Sequence, residues 1–378
     1  MGKQYISSLT ALRGIAAIWI VFFHIDVCTY YRDLGSVISR ESSGILSKGY
    51  LWVDFFFILS GFIIYHIYGA TFKDGLNLTK VKSFVWNRFA KIYPLHIITL
   101  LLLIGASELF GHYYPWLIDD SWKDYFSYDA LPSQIFMFNA MDSYHFLSWN
   151  MPSWSIGAEW WTYILSILFL GFMSRQKLAS VIITSILAFS GLCALVYLHP
   201  NHNLDITWDY GFVRCLFQFI LGVNLYYFYS KKTGYKFLSR DNSFWVLFIL
   251  IPIGFHNKFH DLFFVPIFVL LILAAAYNRG KVRDLLEFPI VKVVGEISYS
   301  IYMMHTFVFF FFWFVLPHWK EFLHIEYFTP IEHFSIFSSF TVMTILLAIP
   351  ANIYIELKLK RWLTNTPKKE EEQIPIEY

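Results

Sequence analysis

Apolar blocks of roughly 18–25 residues recur along this chain, and each is long enough to cross the hydrocarbon core of a bilayer as a helix. Inside lipid, a helix satisfies its own backbone hydrogen bonds. Candidate spans lie near 6–27, 50–72, 92–112, 153–173, 178–198, 211–230, 244–258, 260–277, 295–316 and 334–356, the eighth being short. A weaker apolar piece lies near 131–147. Composition agrees: of 378 residues, 57% are hydrophobic and 15% charged, with a mean hydropathy of +0.50, too little charge for a soluble domain of this size. The expected fold is an all-α integral membrane protein of about ten transmembrane helices around a central polar cavity. One membrane domain would fill residues 1–363, with a polar cytoplasmic tail at 364–378.

Several function classes fall away at once. The net charge is +2, with no basic run long enough for nucleic-acid binding. Cys28, Cys193 and Cys215 form no CxxC pair, so neither a disulfide framework nor a metal site is supported. Arg13 and His24 interrupt the first apolar stretch, and no small-residue cleavage site follows, so it reads as a retained helix. There is no Walker motif, no GxGxxG after a strand, and no internal repeat.

Lys and Arg in the connections set the orientation. With the N-terminus cytoplasmic and the ten strong spans crossing, the inner side carries 21 of the 29 Lys and Arg and the outer side 6. Arg13 and Arg214 lie within spans. A crossing at 131–147 would destroy this bias, so that segment is expected to be re-entrant or to lie at the outer interface.

Ionisable groups inside spans are costly and need a reason. Arg13 alone reads as a snorkelling anchor. His24, eleven residues on, is almost three turns and about 16 Å further along the same face, which points to a shared polar cavity. Asp54, in WVDFFFILSGF, is level with His24. It reads either as an interfacial carboxylate or as the partner that orients the His24 ring. Ser60 and Gly61 suit close helix packing. Arg88 and Lys91, one turn apart, satisfy the positive-inside rule; with Arg13 they also suit a polyphosphate ligand. Glu159 lies among tryptophans in MPSWSIGAEWWTY, and Arg214 enters from the same side in DYGFVRCLFQFILG. A structural Glu159–Arg214 ion pair is one reading of these two. Ser298, Tyr299, Tyr302 and His305 follow in GEISYSIYMMH, where a structural hydrogen-bond network is the simpler reading.

LTALRGIAAIWIVFFH, VDFFFILSGFII, FVWNRFAKIYPLH, PSWSIGAEWW, FVRCLFQFILG and ISYSIYMMH, in this order between residues 9 and 305, resemble the acyltransferase 3 family. The resemblance implies a ten-helix domain that moves an acyl group from cytoplasmic acyl-CoA to a hydroxyl on the far side, often of a bacterial surface glycan. By this likeness Arg13 and His24 match the family's first-helix arginine and essential histidine, and Arg88 the first of its arginine pair. Lys91 stands where a second arginine is usual, and Trp52 where glycine is frequent. No appended hydrolase-like domain is expected within these residues.

The expected enzyme is thus an O-acyltransferase, most simply an O-acetyltransferase, of the bacterial inner membrane with both termini cytoplasmic. Acetyl-CoA or another short acyl-CoA would be its co-substrate, held by Arg13, Arg88 and Lys91, with no metal. His24, Asp54 and Glu159 are the candidate catalytic residues, with His24 as general base or acyl carrier. Trp154, Trp160, Arg214, Tyr302 and His305 are the candidate acceptor contacts. The expected partners are membrane lipid, a glycan acceptor and acyl-CoA, with a homo-oligomer left open and no nucleic acid. A proton-coupled transporter or flippase, or a membrane scaffold, are the rival readings.

Overall fold

The computed structural model describes residues 5–73, 75–173, 175 and 177–364; apart from Thr364, the expected tail lies outside the described residues. The ten expected spans appear as helices: α1 (Ser7–Tyr31), α2 (Trp52–Tyr68), α3 (Leu78–Tyr113), α4 (Ser153–Met173), α5 (Leu178–Leu198), α6 (Gly211–Ser230), α7 (Asp241–His256), α8 (Phe264–Tyr277), α9 (Ser298–Phe322) and α10 (Pro330–Ala351). Eight helical stretches are long and apolar enough to cross a membrane. The stretches holding α7 and α8, Asp241–His256 and Asp261–Tyr277, are shorter apolar helices. The seventh span, expected over 244–258, keeps about its expected length, and the eighth is shorter than its expected 260–277.

Local sequence explains the helix ends. Asn77 caps α3 by accepting from the Thr79 N–H, and Thr329 and Glu332 form a reciprocal capping box before α10, with Pro330 in its first turn. At 36 residues α3 is about 54 Å long, so it begins well before the expected boundary at 92. Pro350 removes one ladder hydrogen bond near the end of α10, and the helix continues in a wider π form over Asn352–Leu359. The 131–147 region holds only the one-turn helix Leu131–Ile135, followed by turns, and does not cross.

α9 is the central helix and α5 a peripheral one: 83% of the apolar window of α9 is buried, against 22% for α5. α2 and α6 meet backbone to backbone. A side chain at Gly61 would overlap the carbonyl of Phe219, and one at Gly222 the carbonyl of Ile58. The short helix Pro289–Glu296 packs on α1 in the same way, through Gly14 and Gly295. These contacts fix the depth at which α1, α2 and α6 present their polar residues.

Candidate active site

Two cavities lie one above the other along α1. The outer one, about 1310 Å³, opens at the face where α1 ends, and the connections 32–48, 142–147 and 199–210 help to wall it. The inner one, about 90 Å³, lies towards the face where α1 begins. Val53 and Tyr302 line both, so the two meet there.

Arg13 lines the inner cavity and His24 the outer. Eleven residues at 100° per residue bring two side chains within about 20° of one another, which is why one helix serves both chambers. The His24 ring is oriented by its own helix: Nδ1 lies 2.9 Å from the Ile20 carbonyl oxygen. A carbonyl only accepts, so Nδ1 carries the proton. Nε2 is then the basic nitrogen, and it has no hydrogen-bond partner among the described residues.

Glu159 lines the inner cavity with Arg13, Ser60 and Tyr163. The Tyr163 hydroxyl donates to Glu159 Oε2 over 3.1 Å and lies 2.5 Å from the Ser60 hydroxyl. Tyr302 stands at the junction: its hydroxyl is 2.7 Å from Ser155 Oγ and donates to the Pro152 carbonyl over 3.2 Å.

Asp54 and Arg214 form the strongest polar contact in the site, and it is with each other. Arg214 Nε and Nη2 donate to the two carboxylate oxygens of Asp54 over 2.8 and 2.6 Å, and Gln218 also donates to Asp54. Both side chains are fully buried. The pairing reading of Arg214 thus holds in kind but with a different carboxylate, and Asp54 is engaged away from His24. Arg214 also lies 5.4 Å from the centre of the Trp154 ring, in the wall of the outer cavity.

The outer cavity is acidic at its rim. Asp142, Asp205 and Asp209 line it, while Arg40 is paired with Asp26 and Arg214 with Asp54. Asp209 accepts from His199 Nε2 over 2.6 Å. Among the described residues no group of three or more His, Cys, Asp or Glu could hold a metal ion.

A family model described as an acyltransferase domain matches residues 6–353, which takes in every element of both cavities. The chain belongs to the acyltransferase 3 family. It is 32% identical over 157 residues to an acyltransferase of Streptomyces mycarofaciens, covering 42% of this chain and 37% of that one. It is 23% identical over 331 residues to a Staphylococcus aureus protein that carries an O-acetyltransferase name, covering 80% of this chain and 50% of that one. A shorter match, 37% over 95 residues, joins it to a picA-locus protein of Rhizobium radiobacter, covering 25% of this chain and 42% of that one. The chain thus spans half or less of the length of these curated relatives. No solved structure matches.

Within this acyltransferase 3 domain, several residues stand elsewhere than the sequence suggests. Lys91 is buried and ion-paired with Glu356, which also accepts from Ser300 and Asn352. Its charge is already compensated and does not face the inner cavity. Arg88 is buried too, with Nη2 donating to the Tyr68 hydroxyl over 3.2 Å. Arg13 is therefore the cation of the proposed trio that lines the chamber. Trp154 lines the outer cavity, but Trp160 lies against Phe89 of α3. Six residues turn a helix by about 600°, which leaves the two indoles roughly 120° apart. His305 lines neither cavity and sits behind His24.

Sequence reasoning missed Glu356, Tyr163 and the rim residues of the 199–210 connection. Glu356 carried a usable signal: it is an acid within an expected span. The rim residues carried none, because a connection has no period from which to read its facing.

Proposed function

We propose that this chain is a membrane O-acyltransferase, most simply an O-acetyltransferase. On this reading it takes its acyl group from a CoA thioester on the cytoplasmic side and gives it to a hydroxyl of a surface glycan or its lipid-linked precursor. The supporting observation is the His24 ring: Nδ1 is committed to Ile20 and Nε2 is left basic beside the large chamber, with Arg13 one chamber below. The face on which α1 begins is taken as cytoplasmic from the distribution of Lys and Arg.

Arg13 binds donor phosphate, and the pantetheine arm lies in the narrow inner chamber between Glu159, Tyr163 and Tyr302. The acceptor enters the wide chamber, where Trp154 and Trp208 offer faces to a sugar ring. The two meet at Val53 and Tyr302. His24 Nε2 takes the acceptor's hydroxyl proton as that oxygen attacks the thioester carbonyl carbon. The tetrahedral intermediate expels the CoA thiolate, which takes the proton back from Nε2, leaving an ester, free CoA thiol and neutral His24.

Purified protein in detergent or nanodiscs, given acetyl-CoA and polysaccharide from a strain lacking it, is expected to add acetyl groups visible by mass spectrometry. His24→Ala is expected to abolish the transfer while the protein still folds. Retained transfer in that variant refutes the role of His24, and no transfer by the unaltered protein with any short acyl-CoA refutes the proposed function.

A further inference from the structure

Behind His24 stands a second imidazole that the reaction above does not use. His305 on α9 is fully buried; neither ring nitrogen reaches a well-formed hydrogen bond, and the polar groups near the ring are the Ile301 and Tyr302 backbone and His24. A buried polar group without a partner is destabilising, so an imidazole is a poor choice here for packing alone. Its ring centre lies 4.5 Å from that of His24, with the planes tilted by 49°. Phe23, at 4.9 Å, and Phe309, at 6.3 Å, complete an aromatic enclosure around the same ring.

The position of the carboxylate that ordinarily accepts from a histidine base's Nδ1–H is taken here by the neutral Ile20 carbonyl, so it is this enclosure that meets the ring when it becomes charged. Asp54, the nearest candidate in sequence terms, is bonded to Arg214 and Gln218. Once His24 accepts the acceptor's proton it becomes a cation at the wall of the wide chamber, against these rings. Aromatic rings attract a nearby cation.

We propose that His305 is a positioning residue of His24: its ring packs against the imidazole that Ile20 anchors, holds it in that orientation and, with Phe23 and Phe309, stabilises the positive charge that forms on His24 during transfer. This rests on the proposed function, with His24 as the proton acceptor.

The test compares unaltered protein, His24→Ala, His305→Leu and His305→Phe, with acetyl-CoA and the same polysaccharide. Leu keeps most of the volume without a ring, and Phe keeps a ring without nitrogens. Both variants remove unpartnered nitrogens and are expected to melt no lower than the unaltered protein. His305→Leu is expected to lower kcat about ten- to thirtyfold, with KM for both substrates changed less than about twofold. His305→Phe is expected to fall less than about fivefold. An undiminished kcat in His305→Leu, an equal loss in Leu and Phe, or a loss confined to KM overturns the inference while leaving the enzyme in place. Absence of transfer by the unaltered protein overturns the functional reading and this inference with it.

Discussion

Replacing Asp54 with Asn separates a structural carboxylate from a chemical one. Both oxygens of Asp54 accept from Arg214, at 2.8 and 2.6 Å, and neither side chain is exposed. Asn keeps the shape but removes the charge, and turns an amide N–H₂ towards a guanidinium that also has only donors. The acceptors left for Arg214 are the single Asn side-chain oxygen and the Ile206 carbonyl, 3.0 Å from Nη1. A buried charge stripped of its partner in this way costs about 3–5 kcal/mol, whereas replacing both partners with apolar residues is often close to neutral. Asp54→Asn is therefore expected to melt well below the unaltered protein, followed by intrinsic tryptophan fluorescence in detergent. The double variant Asp54→Leu with Arg214→Met is expected to recover most of the loss. An Asp54→Asn protein that melts normally yet transfers no acyl group would refute this reasoning and return Asp54 to the chemistry.

The same logic extends to the second buried pair. Lys91→Ala leaves the Glu356 carboxylate with only Ser300 and Asn352, and is expected to cost about 3–5 kcal/mol, most of it regained in Lys91→Ala with Glu356→Ala, as read by melting. Gly61→Ala forces α2 from α6 and is expected to cost about 1–3 kcal/mol, with reduced yield of folded protein by size-exclusion chromatography. Trp154→Ala is expected to raise KM for the acceptor, whereas Trp160→Ala leaves it unchanged, since only Trp154 lines the wide chamber.

What the sequence made legible was whatever one helix fixes by itself. Arg13 and His24 share a face because eleven residues nearly complete three turns, and the two chambers follow that line. Glu159 stood out because an acid among tryptophans has no cheap explanation in lipid, and it does line the inner chamber. Pairings between helices were not legible. Asp54 is 160 residues from Arg214, and Lys91 is 265 from Glu356. Periodicity gives the face a residue occupies but not the neighbour that comes to meet it. Glu356 was further hidden because its segment is a π-helix, whose turn differs from the one assumed in reading faces. His305 shows the same limit: its place on the inward side of α9 was readable, and its position behind His24 rather than beside the acceptor was not.

The small bore of the inner chamber has a consequence for economy of donor. A space of about 90 Å³ walled by Phe56, Phe57 and Ile156 admits only a few water molecules. If, as proposed, a thioester arm occupies it, little space is left for solvent beside the reactive carbonyl. On that proposal, hydrolysis, the competing fate of any activated acyl group held near a general base, is expected to be slow until an alcohol arrives from the other side. Enlarging this bore would show first as acyl groups lost to water, before any failure to modify the proper acceptor.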